Sequence, residues 1–434
     1  MTCANWALTS KAMARKETNF KQTDIGLIPH DWEVATIGDG FKFITNNTLS
    51  RSQLTNKGSV LNVHYGDVHV RFSEVLDLEK STLPFINTGI RRNAKPYLIN
   101  GDIVMADTAE DETVGKSCEI QNIGEWKVEA GLHTFALRPT QKYAPKFLGY
   151  FINSKSFHNQ LLPLIQGTKV YSVTKGDLKG TAVLKPPIEE QNRIAEVLSH
   201  FDEHIDNLVA LLEKRKQVKA ATMHALLSGS TRLPGFTALW QETTLEKLCL
   251  SMNSGGTPDS KNPNFYNGDI PFLSIADMTL QGKYVSKTTK TITKEGLDNS
   301  SARLVRRGIL LYAMYASLGK CSLSSIDLSI SQAILAIETN PKLLETDYLY
   351  YFLTYIEKKV KTLGQTGTQT NLSKQLVKEI CVTAPTSVKE QEAIADILSN
   401  MDRGIEALEE QVEKYRQMKE GAMEELLTGK VRLV

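Results

Sequence analysis

Apolar residues follow a narrow three-and-four spacing in two stretches of this 434-residue chain. In the first stretch the apolar positions are Ile194, Leu198, Phe201, Ile205, Leu208 and Leu212, and the spacing breaks at Arg215. In the second stretch they are Ile394, Leu398, Met401, Ile405, Leu408, Val412 and Tyr415. This spacing is typical of the a and d positions of a coiled coil. It predicts two long helices, each with one apolar seam, and the simplest partner for each seam is the other helix.

The two helices belong to an internal duplication. The offset is 391 minus 191, or 200 residues, and it holds without a gap from the pair Gln191 and Gln391 to the pair Leu233 and Leu433. Prolines precede both helices, carboxylates lie in both first turns, and a glycine lies near both ends, as helix boundaries require. A local helical hairpin is excluded because the intervening segment is too long.

A segment of different texture precedes each helix. Residues 24–185 and 234–384 alternate short β-branched and aromatic runs with turn residues, and each segment contains one helix-like stretch. We therefore expect an α/β (α+β) fold with two mixed domains, two long antiparallel coiled-coil helices and a pseudo-two-fold repeat. The predicted boundaries are an N-terminal extension over 1–23, a first domain over 24–185, a first helix over 186–233, a second domain over 234–384 and a second helix over 385–434.

Composition limits the setting of the protein but does not identify a partner. The formal net charge is +2, so an anionic partner must be met by local patches rather than by a general basic excess. The five cysteines are scattered and lack metal-ligand spacing, which favours buried thiols in a reducing compartment. The chain shows neither a signal-peptide pattern nor an apolar run long enough to span a bilayer. We expect a soluble, cytoplasmic protein.

Motifs for catalysis are missing from the sequence. No Asn/Asp-Pro-Pro-aromatic motif for holding a flipped base occurs, no Gly-rich loop for a methyl donor was found, and no GxxxxGK[ST] loop is present for nucleotide phosphates. His200 and His204 stand four apart on a predicted helix, but their counterparts are Asn400 and Gly404, which argues against a metal site. A non-catalytic protein is expected. A coiled-coil scaffold without a DNA role is the rival hypothesis, although it leaves the paired, divergent domains unexplained.

Several strings resemble the specificity subunit of type I restriction-modification systems. They include the Pro-Pro-x-Glu-Glu-Gln-x-x-Ile-Ala-x-x-Leu pattern at Pro186–Leu198 and its second copy at Pro385–Leu398. Further similar strings are IGLIPHDWEV from Ile25, NVHYGDVH from Asn62, and SGGTPDSKNPNFYNGDIPFLS from Ser254. The resemblance covers nearly the whole chain and is weakest over residues 1 to about 19.

The resemblance implies a function that composition alone does not. In that family the two mixed domains are target recognition domains, each reading one half of a bipartite DNA site, and the two helices are the spacer and the docking surface for methyltransferase subunits. It implies two such subunits per chain, with restriction subunits joining through them, and no membrane partner. S-adenosylmethionine, ATP and Mg²⁺ are used by the partner subunits, so this chain is expected to bind no cofactor and no metal.

Candidate DNA contacts are side chains that hydrogen-bond base edges or phosphates. In the first domain the candidates are His64, Tyr65, His69, Arg91, Arg92, Lys116, Thr168, Lys169 and Tyr171. In the second domain they are Thr257, Lys261, Asn264, Tyr266, Arg303, Arg306, Tyr312, Tyr315, Lys320, Thr368, Gln369 and Thr370.

Overall fold

The computed structural model describes residues 19–90, 93, 95–364 and 371–434. It divides into two compact units. Unit 1 contains the described residues up to Val209 together with Glu410–Val434, and unit 2 contains Ala210–Glu409. Each unit therefore holds one mixed domain and a part of each long helix.

The described part of unit 1 is built on two large sheets, three two-stranded sheets and several short helices. Its strands are β1 (Phe20–Thr23), β2 (Gly26–Pro29), β3 (Glu33–Thr36), β4 (Phe41–Ile44), β5 (Leu54–Thr55), β6 (Val60–Val63), β7 (Val75–Asp77), β8 (Phe85–Ile86), β9 (Ile103–Ala106), β10 (Thr108–Ala109), β11 (Ser117–Gln121), β12 (Lys127–Ala130), β13 (Thr134–Pro139), β14 (Tyr171–Ser172) and β15 (Ala182–Lys185). Its short helices are α1 (Ile37–Gly40), α2 (Tyr65–Val70), α3 (Phe147–Ile152), α4 (Lys155–Leu161) and α5 (Lys175–Leu178). A five-stranded sheet has the order β4-β13-β9-β11-β7, and a four-stranded sheet has the order β12-β6-β8-β5. The two-stranded sheets are β1-β2, β10-β14 and β15-β3.

The five-stranded sheet of unit 1 is covered on both faces, which explains the continuous apolar run of its central strand β9. Ile103 and Met105 on one face belong to a core that includes all of α3 except Gly149. Val104 and Ala106 on the other face belong to a second core shared with the four-stranded sheet. Successive side chains of a strand point to opposite faces, so a strand between two cores must be apolar at every position.

Unit 2 repeats this plan. Its strands are β16 (Trp240–Thr244), β17 (Cys249–Ser254), β18 (Tyr266–Leu273), β19 (Tyr284–Val285), β20 (Lys290–Ile292), β21 (Arg303–Val305), β22 (Leu310–Ala313), β23 (Cys321–Ser324), β24 (Leu328–Ile330), β25 (Ile334–Thr339) and β26 (Cys381–Pro385). Its short helices are α7 (Ile275–Gln281), α8 (Lys294–Asp298) and α10 (Lys374–Lys378), and a helix of intermediate length is α9 (Thr346–Gly364).

The two large sheets of unit 2 match those of unit 1 in all strands but one. The five-stranded order is β17-β25-β22-β23-β19, and its last pair is parallel, like β11 and β7. The other sheet has the order β20-β18-β24-β21, with a parallel pair β18 and β24 that corresponds to β6 and β12. The fourth strand differs: β5 lies beside β8 in unit 1, whereas β21 lies beside β24 in unit 2.

The two long helices are α6 (Ile188–Leu227) and α11 (Val388–Leu426). In unit 1 the beginning of α6, at Ile194 and Leu198, shares a core with Met423 and Leu426 at the end of α11. In unit 2 the end of α6 shares a core with the beginning of α11. The helices are therefore antiparallel within each unit. All thirteen seam positions are buried or half-buried.

Duplicated residues account for the ends of both helices. The side-chain amide of Gln191 donates to the Pro186 carbonyl, and that of Gln391 donates to the Pro385 carbonyl, so each glutamine fastens the start of its helix. Gly229 and Gly429 follow the helix ends with φ of 71° and 72°. Glycine is favoured in this left-handed conformation.

One predicted helix differs from the expectation. The helix-like stretch of the first domain forms two helices, because Ser154 caps α4 and interrupts the run after α3, whereas the corresponding stretch in unit 2 is the single helix α9. None of the helices described is long and apolar enough to cross a membrane.

Candidate nucleic-acid interface

Three histidines surround Tyr65 at the short helix α2. His64 is the N-cap residue, and its Nδ1 accepts a hydrogen bond from the backbone N–H of Gly66 at 3.2 Å. The ring centroids of His64, His133 and His69 lie 4.6, 5.4 and 6.4 Å from that of Tyr65. We call these four residues the Tyr65 cluster.

Neighbouring loops hold the cluster in place. The ammonium group of Lys116 donates to the His69 carbonyl at 2.7 Å, and His69 Nε2 lies 2.9 Å from the Thr108 carbonyl oxygen. His133 Nδ1 lies 3.4 Å from a carboxylate oxygen of Asp107. These contacts bring residues from four separate segments to one surface of unit 1.

Burial lowers the pKa of His64, and the nearby carboxylate of Asp67 only partly opposes that effect. A neutral ring agrees with the capping role, because Nδ1 can accept a hydrogen bond only when it carries no proton. His64 is buried, so its position indicates that it supports the cluster rather than reaching a base edge.

A second loop of unit 1 adjoins the cluster through strand pairing. Tyr171 lies in β14, which pairs with β10 directly after Asp107. Gly167 has a φ of 111°, and a side chain there would meet the Val170 carbonyl oxygen at 2.0 Å, so the turn requires glycine. Thr168 and Lys169 form its exposed tip.

In unit 2 the segment from the end of β17 to the first residue of β18 carries four of the predicted contacts. These residues are Thr257, Lys261, Asn264 and Tyr266. Thr257 donates to the side-chain oxygen of Gln332 at 2.7 Å, and the Tyr266 hydroxyl donates to the Pro258 carbonyl at 2.6 Å. The side chains of Lys261 and Asn264 are exposed, which leaves them available to a ligand.

Other predicted residues of unit 2 lie on two further segments. Arg303 and Arg306 are exposed at the two ends of the β21 region, and neither guanidinium forms an ion pair with another described residue. Tyr315 and Lys320 lie in the loop after β22. Ala316 in this loop has a φ of 54°, a conformation that is costly for a residue with a Cβ atom and that recurs at functional sites.

Tyr312 is a correction to the predicted set. It is completely buried in the core of unit 2, on the face of β22 opposite to Leu311 and Ala313. A contact with DNA would require the core to open, so Tyr312 is not part of a reading surface. The predicted residues Arg91, Arg92, Thr368, Gln369 and Thr370 lie outside the described residues.

Two polar residues at these surfaces were missed by the sequence reasoning. His133 follows β12 and Gln332 follows β24, and these two strands are equivalent in the two units. His133 also has a left-handed backbone, with a φ of 53°. In the sequence, both loops carry a polar residue shortly before a buried strand. This similarity identifies His133 and Gln332 only after β12 and β24 are recognised as equivalent strands.

The described part of the chain contains no group of three or more His, Cys, Asp or Glu residues that could hold a metal ion. The ring of His204 instead contacts that of Tyr415, at a centroid distance of 4.2 Å in unit 1.

Comparison with known proteins gives the class to which this architecture belongs. Residues 29–217 and 238–414 both match the type I restriction modification DNA specificity domain. These two matches span most of the chain, which therefore belongs to the type I restriction-modification DNA specificity family. It is a DNA-sequence specificity subunit, a recognition subunit that is not itself catalytic.

Relatives and solved structures of this family resemble the chain over nearly its full length. The chain is 25% identical over 443 residues to the putative type I restriction enzyme MjaX specificity subunit of Methanocaldococcus jannaschii, covering 96% of this chain and 98% of that protein. It is 22% identical over 445 residues to the MjaVIII specificity subunit of the same organism, covering 96% and 97%. The S subunit from M. genitalium has a similar fold, with a TM-score of 0.56, 17% identity and coverage of 95% and 97%. A chain solved in a study of type I R-M complex assembly and conformational transition has a TM-score of 0.62, 19% identity and coverage of 93% and 99%.

Proposed function

We propose that this chain reads a two-part DNA site, with the mixed domain of each unit reading one half, and that it carries two methyltransferase subunits on its paired helices. Restriction subunits join through the methyltransferase subunits, and the complex acts in the cytoplasm. The chain itself binds neither S-adenosylmethionine nor ATP, which serve the catalytic partners together with Mg²⁺.

One observation carries the proposal: the two units share the five-stranded sheet, three strands of the second sheet and the helix attachments, while their exposed loops differ. The Tyr65 cluster offers histidine and aromatic groups, whereas the matched part of unit 2 has Ile275 after the capping residue Ser274. Base edges are distinguished by the donors and acceptors that face them, so different loops on one scaffold are suited to different sequences.

A domain exchange tests this division. Residues 24–185 are replaced by the corresponding segment of a relative with a different known target, and the hybrid is reconstituted with methyltransferase subunits on genomic DNA. We expect one half of the methylated sequence to change and the other half to remain, because each half is read by a separate domain.

The reciprocal exchange of residues 234–384 is the matched control and should change only the other half. Native mass spectrometry of both complexes establishes whether two methyltransferase subunits are bound. A change in both halves after a single exchange would contradict one reader per half, and a saturated complex with one methyltransferase subunit would contradict duplicated docking.

A further inference from the structure

A polar clamp in unit 1, built around the buried side chains of Tyr150 and Lys419, joins the recognition domain to both long helices. The hydroxyl of Tyr150, on α3, donates to Asp202 of α6 at 2.5 Å and lies 3.2 Å from Ser199 Oγ. Lys419 of α11 pairs with Asp202 at 2.6 Å and with Glu74 at 2.7 Å. Its side chain also lies over the Tyr150 ring, with Nζ 5.3 Å from the centroid.

Unit 2 contains the same four-residue arrangement with the helices exchanged. The Tyr351 hydroxyl, on α9, donates to Asp402 of α11 at 2.6 Å and lies 3.1 Å from Ser399 Oγ. Lys219 of α6 pairs with Asp402, and its Nζ lies 5.7 Å from the centroid of the Tyr351 ring. The aspartate of each clamp comes from the helix that directly follows its domain, and the lysine comes from the other helix.

The fifth member differs between the clamps. In unit 1 it is the carboxylate of Glu74, whereas in unit 2 it is Lys283, whose ammonium donates to Tyr351 and Ser399 at 3.0 and 2.9 Å and pairs with Asp347. The shared part of the clamp is therefore the tyrosine, serine, aspartate and lysine. The fifth member, Glu74 in unit 1 and Lys283 in unit 2, differs in charge between the domains.

The charged groups of the clamp can fix the register of α6 against α11. An apolar seam with a three-and-four spacing is nearly self-similar after a shift of one heptad, so apolar packing alone discriminates weakly between registers. A shift of seven residues would move Lys419 about 10 Å along the helix from Asp202, at 1.5 Å per residue. Lys419 is 9% exposed, so the shift would leave its buried ammonium group unpaired, which is strongly unfavourable. The charges of Asp202, Lys219 and Asp402 are half-buried, and they would lose their partners as well.

We propose that the two clamps, Tyr150–Ser199–Asp202–Lys419 and Tyr351–Ser399–Asp402–Lys219, are positioning devices that fix the register of the paired helices against each recognition domain. They thereby set the gap between the two half-sites that the chain accepts. This inference rests on the proposed two-part recognition. The clamp residues act through the domains and helices they hold, and they make no DNA contact of their own.

The test uses the full chain reconstituted with methyltransferase subunits and a DNA library in which the gap between the half-sites varies. The main variant is Lys219→Met with Lys419→Met, which keeps two unbranched side chains and removes the ammonium group of each clamp. We expect the half-sites to be unchanged and the preference for the native gap over gaps one base pair longer or shorter to fall about tenfold, a typical effect of breaking a coupled network.

Lys216→Met is the matched control. Lys216 forms an ion pair with Glu409 across the same two helices at 2.8 Å, but the two side chains are 43% and 48% exposed. Exposed pairs contribute little, so this variant should keep the native gap preference. Asp402→Asn with Lys219→Met is a second clamp variant that removes a charge of each sign from the clamp, for use if the main variant does not fold.

The outcomes separate the two proposals. A folded clamp variant with relaxed gap preference beside an unaffected Lys216→Met supports the clamp. Native gap preference in a folded clamp variant overturns the clamp and leaves two-part recognition standing. A parent complex that methylates no two-part sequence overturns the proposed function itself.

Discussion

His64 holds the start of α2 through a ring nitrogen that must remain unprotonated. Its pKa is lowered in the folded protein by burial, so the unfolded chain takes up a proton at a higher pH than the folded chain does. The stability contributed by this neutral cap is therefore complete above the ordinary histidine pKa of about 6.5 and is lost as the pH falls toward the folded-state value.

A His64→Asn variant tests this contribution. Asparagine also caps helices but does not titrate near neutrality. We expect the parent to lose more thermal stability than His64→Asn between about pH 8 and about pH 5.5, as measured by circular dichroism. His200→Asn, a change at an exposed histidine of α6, should behave like the parent. Equal losses in the parent and in His64→Asn would show that the cap does not carry the pH dependence.

Some residues of the candidate site could be identified from the sequence, and others could not. The polar loop residues Lys116, Thr168 and Lys169 could be proposed from residue type and turn context. Tyr312 was misassigned because a tyrosine in a strand gives no local sign of which face is buried. His133 was missed because its contact with Tyr65 joins residues far apart in the chain. Whether the proposed residues contact DNA remains a prediction.

At the scale of elements, repetition made the long helices predictable. The gapless 200-residue offset predicted α6 and α11. The structure shows that several repeated residues hold the helix ends in place, including Glu190 and Glu390, which pair with Arg432 and Arg232. Strand order could not be predicted, because the parallel pairing of β6 with β12 depends on contacts about 70 residues apart, a separation for which local sequence patterns carry no signal.

Lengthening both long helices should widen the gap between the half-sites. Four residues inserted at the equivalent exposed positions Ala210 and Glu410 add roughly one turn, near 5.4 Å, to each helix. This length corresponds to one or two base-pair steps of about 3.4 Å. We expect sequencing of methylated DNA to show unchanged half-sites and a gap longer by one or two base pairs.

Lengthening α6 alone is the informative contrast, because it shifts one helix against the other and separates the clamp partners. That variant should lose activity rather than acquire a longer gap. The same four residues inserted at Gly235, where an added Cβ atom would meet nothing within 4 Å, should leave the gap unchanged. An active variant with both helices lengthened and the native gap would show that another element measures the distance.

At the level of the whole molecule, the same arginine–glutamate contact forms in both units, between the segment that follows one long helix and the first turn of the other. In unit 2, Arg232 follows α6 and forms a two-pronged contact with Glu390, at 2.8 and 2.9 Å. In unit 1, Arg432 follows α11 and forms the same contact with Glu190, at 2.7 and 2.8 Å. Arg432 also binds Asp31, which lies near the start of the first domain.

This equivalence predicts that the connection between the halves can be moved. In unit 2 the segment after Arg232 leads directly into the second domain. In unit 1 the corresponding join to the first domain is non-covalent: Arg432 binds Asp31, and Val431 and Leu433 pack on the core that contains Trp32. A circular permutant is opened at Gly235, and the old ends are joined by a Gly-Ser linker. It loses the covalent connection between α6 and the second domain and gains one between α11 and the first domain. We expect it to be expressed in soluble form and to methylate the same two-part sequence, because no buried contact has to change.

A permutant opened at Leu311, in the buried strand β22, is the control and should fail to fold. Arg432→Met in the parent is a further check, since loss of one partner from a buried pair typically costs about 3 to 5 kcal/mol. In the permutant the linker replaces part of that connection, so the same substitution should lower the melting temperature less than it does in the parent. Loss of soluble expression with several linker lengths, or equal effects of Arg432→Met in both chains, would contradict the equivalence of the two connections.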